Sequence, residues 1–267
     1  MNEETTQLSP TLSIRISTDG FCFCTYLPQL PESVKYIHYE CDRQKSLESN
    51  FDTAWEKHEL GKGEYANLQV IVATNRFTAV PSGSIEKEEY PTIYRSCFPD
   101  TAEDAKILSN NLSAQNITIL FSIPQGLHER LCEIGEVYYY SPASILSGFI
   151  TRYKPQENRY LVANLHNDTM LLMGVEDDTP TLMNYFCSES IDDRLYYLLC
   201  IWNELGLSQE EEPLLLCGDT AADNMQTAAK NFIRNIKLIN PRELFQPSLL
   251  NKLENIPFDL QALILCE

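Results

Sequence analysis

Apolar and polar positions alternate from Leu12 to Ile16 and again from Phe21 to Tyr26, and the residues between them read Ser17-Thr18-Asp19-Gly20. Alternation with a period of two marks strands with one buried face, and Asp-Gly between two such runs marks a hairpin. Val34 to Tyr39 (VKYIHY) adds a third strand through its β-branched and aromatic residues. Residues 12–42 are therefore predicted to form a three-stranded antiparallel meander. A polar helix is predicted over Leu47 to Leu60, ending near Gly61. Leu68 to Ala73 (LQVIVA) and Ile117 to Ile123 (ITILFSI) are nearly continuous apolar runs, the mark of strands covered on both faces. Between them, Phe77 to Pro81 leads into a loop, and Glu86 to Phe98 reads as a helix interrupted by Pro91. Leu127 to Ile134 reads as a helix, Val137 to Tyr140 as a short strand and Ser144 to Tyr153 as a further helix.

After Lys154-Pro155-Gln156-Glu157-Asn158 the pattern begins again. Tyr160 to Leu165, Met170 to Val175 and Thr181 to Cys187 are predicted strands, separated by turns at Asn167-Asp168 and Asp177-Asp178-Thr179. Ser190 has the character of an N-cap, with Asp193 at the capping-box position. The helix it opens carries Leu195, Leu198, Leu199, Trp202 and Leu205 at helical spacing, with Gly206 just past its end. Leu214 to Cys217 is a short buried strand ending at Gly218, and a helix is predicted from Ala221 to Ile236. An acidic, proline-broken stretch starts at Ile239, and Leu260 to Leu265 closes the chain as a strand or short helix. Strand, turn, strand, turn, strand, helix thus occurs twice, near residues 12–60 and 160–206. The copies share order rather than residues.

Composition narrows the function classes. The chain has 267 residues, 43% hydrophobic and 22% charged, enough for one large or two modest domains with a real core. Asp and Glu total 38 against 20 Lys and Arg, a net charge of −18. Binding to nucleic acid draws most of its affinity from neutralising phosphates, so neither nucleic acid nor an anionic membrane is expected as the main partner. The nine cysteines are an odd number without a CxxC pair, and most lie in apolar runs. That usage suits buried free thiols in a reducing compartment. Met1 to Pro10 is polar and acidic, unlike a signal peptide, and no apolar run reaches the ~18 residues that span a bilayer. A soluble, cytoplasmic protein is expected, with no membrane insertion.

No GxSxG, Walker A loop, dinucleotide fingerprint or HExxH is present. Asp19, Asp168 and Asp219 each follow a predicted strand. Carboxylates gathered at one cleft would hold Mg²⁺ for phosphoryl or nuclease chemistry, whereas Asp-Gly and Asn-Asp are also ordinary turn residues. Of His38, His58, His128 and His166, only His166 sits at a strand end beside Asn167 and Asp168. A cysteine–histidine hydrolase needs a spatial pairing that spacing does not reveal. Tyr138-Tyr139-Tyr140 and Tyr196-Tyr197 fit either a protein interface or the edge of a core.

Two copies of a meander followed by helix and strand resemble the actin-like ATPase superfamily, which pairs two ribonuclease-H-like halves around a nucleotide cleft. The segments LSIRISTDGFCFCTYL, YLVANLHNDTMLLMGV and LLLCGDTAADN carry the likeness. They resemble the two phosphate loops and the adenosine motif of type IV pilus assembly and type II secretion cytoplasmic actin-like proteins. The whole chain is also similar to an uncharacterised bacterial family with no assigned activity. In active relatives the first hairpin carries roughly Asp-x-Gly-Ser, which places Arg15 at the acid and Ser17 at the glycine. The second hairpin's Asp-x-Gly falls on Asn164 and His166, and of the adenosine motif's glycines only Gly218 remains, before Asp219. Phosphate cradles need glycine for close backbone approach, and the carboxylates hold magnesium against the phosphates. Arg15 cannot ligate a metal, although a cation there can contact a phosphate directly.

The resemblance implies an α/β fold of two ribonuclease-H-like subdomains in an actin-like arrangement, with mixed sheets flanked by helices. Residues 1–156 would form the first subdomain and 157–267 the second, with the C-terminal residues returning to the first. The candidate cleft residues are Ser17, Thr18, Asp19, Asn164, His166, Asp168 and Gly218. The expected role is a pseudo-ATPase scaffold or protein-interaction module with another protein as partner, no metal site and no cofactor. The alternative is an ATP-binding enzyme, an ATPase or sugar-kinase-like phosphotransferase that uses ATP with magnesium. A ribonuclease-H-type nuclease is a third outcome of the same fold.

Overall fold

A computed structural model describes residues 9–27, 30–218, 220–239 and 256–266. In chain order the elements are β1 (Thr11–Ile16), β2 (Gly20–Leu27), β3 (Leu30–Glu40), α1 (Leu47–Lys57), β4 (Asn67–Val72), β5 (Phe77–Pro81), α2 (Tyr90–Cys97), β6 (Lys106–Leu112), β7 (Ile117–Ile123), α3 (Gln125–Ile134), β8 (Val137–Tyr140) and α4 (Pro142–Tyr153). They continue as β9 (Arg159–His166), β10 (Thr169–Glu176), β11 (Thr179–Cys187), α5 (Ile191–Glu204), β12 (Pro213–Gly218), α6 (Thr220–Ala229), β13 (Asn235–Leu238) and the last helix, α7 (Phe258–Cys266). The strands build two five-stranded sheets, β3-β2-β1-β4-β8 and β11-β10-β9-β12-β13, and a three-stranded sheet, β5-β7-β6. In each large sheet an antiparallel meander joins parallel strands, as β1 pairs with β4 and β9 with β12.

The registers of the two sheets correspond residue by residue. Ile16 faces Phe21 in the first hairpin, and Leu165 faces Met170 in the second. Cys41 N donates to Asp19 O (2.9 Å), and Ser188 N donates to Asp168 O (2.7 Å). Asp19 and Asp168 therefore take the same place in their turns. Four residues earlier, Arg15 and Asn164 are counterparts, beside Ile71 of β4 and Cys217 of β12.

Alternation decides what each sheet face meets. Ile14 and Phe23 stand opposite one another, and the Phe21 and Phe23 rings pack on Phe51 of α1 at 5.6 and 6.3 Å. The other face of β1 presents Ser13, which donates to Gln69 (2.9 Å), and Arg15, which meets α7. In the second sheet Leu161, Ala163 and Leu165 pack with Leu198 and Trp202 of α5 and Met225 of α6. Its opposite face, with Tyr160, Val162 and Cys217, joins the core of the first half. Leu260, Ala262, Leu263 and Ile264 of α7 belong to that shared core. Helix α7 packs on α4, where Phe258 meets Phe149 edge-on at 5.0 Å, and touches both β1 and β12.

The departures from expectation have identifiable causes. Pro91 falls in the first turn of α2, where its missing N–H costs nothing, so it begins the helix that it was expected to interrupt. Phe77–Pro81 is a strand rather than the lead into a loop, and it pairs with β7. Strand β6 (KILSNNL) has no pattern to announce it, being a polar edge with no fully buried position. The helix expected over Ala221–Ile236 stops at Ala229, and Asn235–Leu238 pairs in parallel with β12. Ile236 there belongs to a strand, since a short apolar run does not by itself distinguish the two states. Leu260–Leu265 lies within a helix. No helix among the described residues is long and apolar enough to cross a membrane.

Candidate functional site

The two hairpin turns close on one another over a cleft. Ser17 N and Oγ both donate to Gly20 O at 3.0 Å, which folds Ser17–Gly20 into a tight turn. Glycine is required at 20, because a Cβ there would lie 2.2 Å from Tyr39 O on the paired strand. The second turn holds Asn167 at φ 51°, and Thr169 Oγ1 donates to His166 O (2.6 Å). Asn167 Nδ2 then donates to Asp19 Oδ2 (3.2 Å), so the turns of the two halves touch. Beneath them lies a cavity of about 1000 Å³, lined from the first half by Arg15, Ser17, Thr18, Asp19 and His38. His166, Asn167, Asp168 and Tyr185 line it from the second half.

The structure thus brings together Ser17, Thr18, Asp19, His166 and Asp168 of the sequence candidates. Asn164 and Gly218 do not line the cavity. Asn164 is 8% exposed, and its buried Oδ1 has no hydrogen-bond partner among the described residues. Gly218, at φ 127°, ends β12 where a Cβ would lie 1.8 Å from Leu165 O. Its lack of a side chain answers to strand packing, which is reason enough for glycine here. Asp219 lies outside the described residues.

Charge at the cleft is set by local pairing. Burial pushes the Asp19 carboxyl up, but hydrogen bonds from Ser17 and its own backbone, with Arg15 and His166 nearby, outweigh this and hold it below its ordinary value. Arg15 is 3% exposed, and its Nε meets Asp259 Oδ1 at 3.0 Å and Oδ2 at 2.9 Å. Burial alone would disfavour its charge; the Asp259 carboxylate overcomes that and holds the guanidinium charged. Among the described residues there is no group of three or more His, Cys, Asp or Glu side chains able to hold a metal ion.

Sequence reasoning singled out Arg15 but not its partner, which is 244 residues away and has no local signal. It also missed a cysteine–histidine contact. Cys22 Sγ lies 3.5 Å from His38 Nδ1, and Tyr36 OH donates to the same sulfur (3.2 Å). The register of the predicted meander would have placed Cys22 opposite His38, as observed. Burial pushes the Cys22 thiol up despite Tyr36 and Arg15, which disfavours the thiolate form that a nucleophile uses. Tyr138 and Tyr196 are 46% and 65% exposed.

Comparison with known proteins fits this frame. A family model described as a protein of unknown function (DUF3822) matches residues 2–236. A crystal structure from Bacteroides thetaiotaomicron, described as a protein with actin-like ATPase fold and unknown function, is similar over 100% of both chains, at 27% identity and a TM-score of 0.82. The PilM–PilN type IV pilus biogenesis complex is similar over 96% of this chain and 97% of that one, at 14% identity and a TM-score of 0.55. The cytoplasmic domain of EpsL, an inner membrane component of the Vibrio cholerae type II secretion system, is similar over 96% and 93%, at 12% identity and a TM-score of 0.46. No curated protein matches the sequence. The fold is that of the actin-like ATPases.

Proposed function

We propose, for a chain that belongs to the DUF3822 family of proteins of unknown function, that it serves as a non-catalytic scaffold or protein-interaction module on an actin-like frame. The observation that carries this reading is the direct contact between the two hairpin turns, Asn167 Nδ2 to Asp19 Oδ2 at 3.2 Å. In the actin-like scheme a triphosphate with its metal sits between those turns, whereas here the turns are held to one another. The position expected to hold a metal-binding acid carries Arg15, whose charge is already matched by Asp259. Its counterpart, Asn164, is a neutral ligand at best. These residues do not fit a magnesium triphosphate in that register.

A partner protein is the natural use of such a frame. The solved PilM–PilN complex pairs a protein of this fold with another chain, and the exposed Tyr138 and Tyr196 are the residue type enriched at interfaces. The cysteines Cys22, Cys24, Cys41, Cys97, Cys132, Cys187, Cys200 and Cys217 are free thiols, which supports a cytoplasmic setting as part of this proposal.

A second reading, an ATP-binding enzyme with divergent loops, is favoured by the roughly 1000 Å³ cavity with Asp19 and Asp168 at its rim. One experiment separates the two. Purified protein is assayed for ATP hydrolysis with Mg²⁺ and for thermal stabilisation by ATP, ADP and a non-hydrolysable analogue. The scaffold reading expects no turnover above a heat-killed control and no shift at millimolar nucleotide. Turnover that disappears in Asp19→Asn or Asp168→Asn establishes the enzyme instead.

A further inference from the structure

A second cysteine–histidine contact lies outside the cleft, on α3. That helix turns Leu127 and Leu131 into the core, and the same four-residue step sets His128 and Cys132 side by side on the neighbouring stripe. Cys132 Sγ lies 3.8 Å from both His128 Nδ1 and His128 Nε2, within hydrogen-bonding range for sulfur. Tyr139 of β8 completes the group: its hydroxyl is 2.8 Å from His128 Nδ1 and also hydrogen-bonds the Cys132 sulfur. Cys132 is exposed, whereas Cys22, beside His38, is buried. None of His128, Cys132 and Tyr139 lines the cleft between the halves.

The protonation states suit proton transfer. Burial, with Lys106 nearby, holds the His128 imidazole below its ordinary value against the pull of Glu129, so the ring is a neutral base near neutrality. Burial, with the Cys132 sulfur, pushes the Tyr139 phenol up, so it keeps its proton and serves as a donor. The consistent assignment has His128 Nδ1–H donating to Tyr139 Oη and Tyr139 Oη–H donating to Cys132 Sγ. It leaves the Nε2 lone pair for the thiol proton.

We infer that Cys132 is a base-assisted nucleophilic thiol, a modification site whose substrate is a small disulfide. His128 Nε2 takes the thiol proton as Sγ attacks one sulfur of the disulfide. A new S–S bond forms and the old one breaks. The departing thiolate then recovers the proton from the imidazolium. The products are a mixed disulfide at Cys132 and one free small thiol, so the small disulfide is itself the oxidant. Tyr139 is a positioning residue, which fixes the imidazole tautomer and hydrogen-bonds the sulfur as its negative charge develops. Exposure gives the disulfide its access.

The test treats the full native chain with hydroxyethyl disulfide, which carries no charge, and follows mixed-disulfide formation by peptide mass spectrometry. Cys97, an exposed thiol on α2, is the internal reference. Near neutrality Cys132 is expected to react at least about tenfold faster than Cys97, and the two are expected to react alike in urea. Across a pH series the Cys132 rate is expected to carry a step below 6.5, where the His128 imidazole loses its proton. Both measurements use the wild-type chain, so neither depends on a variant folding. His128→Gln is expected to remove the step and the rate advantage while leaving Cys97 unchanged. Tyr139→Phe is expected to keep the step and lower the Cys132 rate. Equal native rates at Cys132 and Cys97 overturn the inference. So does a His128→Gln chain with an unchanged Cys132 rate or pH profile, a loss in that variant that reaches Cys97 equally, or an unchanged rate in Tyr139→Phe.

Discussion

Asn167 and Asp19 meet across the cleft, amide to carboxylate at 3.2 Å, and their contact joins two turns that are 148 residues apart in the chain. Asp19 and Asp168 hold equivalent places in their hairpins, so the bridge links near-equivalent points of a repeated architecture. Removing an exposed hydrogen bond changes stability little. Asn167→Ala is therefore expected to leave the urea midpoint within about 0.5 kcal/mol of wild type, while amide hydrogen exchange rises in residues 17–19 and 166–168. Unchanged exchange would show that the turns do not depend on one another in solution.

The pH dependence of Asp19 follows from the direction of its shift. Its folded-state value lies below the ordinary 3.8, so its charged form is favoured by folding. That contribution is complete above 3.8 and is lost as the pH falls through the lower folded-state value. Asp19→Asn is expected to be less stable than wild type near neutrality, with the gap closing in acid. Urea titrations at a series of pH values check this, and a gap that widens in acid reverses the sign.

Arg15→Leu alone strands the Asp259 carboxylate in the core, and Asp259→Leu alone strands the guanidinium. Each is expected to cost about 3–5 kcal/mol. The double variant Arg15→Leu/Asp259→Leu leaves neither charge behind and is expected to cost much less than the sum. Additive single and double losses in equilibrium unfolding would show that the two residues act independently.

Gly218→Ala is expected to destabilise the second sheet by more than about 2 kcal/mol. The new Cβ would stand 1.8 Å from Leu165 O at a backbone angle, φ 127°, that other residues rarely adopt. Gly83, at φ 76° with open space around its Cβ position, serves as the control; alanine there meets strain but no collision. Thermal unfolding of both variants measures the difference, and equal losses would mean that strand packing is not the reason for glycine at 218.

Thiol chemistry provides a map of the same interior. Cys22 is 3% exposed and burial pushes its thiol up, whereas Cys97 and Cys132 are exposed. Alkylation by iodoacetamide in native protein is expected to reach Cys97 and Cys132 at least about tenfold faster than Cys22, with the difference vanishing in denaturant. Peptide mass spectrometry gives the rates. Rapid native labelling of Cys22 would reveal an open path to the His38 contact.

Much of the frame was legible because it is written in local chemistry. Asp19-Gly20 and Asn167-Asp168 mark the turns, since few residues tolerate those backbone angles or that close approach. LQVIVA marks a strand covered on both faces. Ser190 accepts from Asp193 N and Gly206 takes φ 62°, the two ends expected for α5. The repeat of meander and helix pointed to two related halves because each unit must bury one face against its own helices. What local chemistry left open was settled by partners distant in sequence. Strand β6 forms because β7 pairs with it and because Asn110 ties it to Tyr139 O (2.7 Å) and Ser141 N (2.9 Å). Residues 235–238 extend because β12 offers them an open edge. Above all, Arg15 is neutralised by Asp259 through a packing of α7 between the sheets. The sequence by itself determined the repeated hairpins and placed an arginine at position 15. Only the tertiary structure decided what that arginine faces, because a buried charge finds its counterion wherever the folded core brings one within reach.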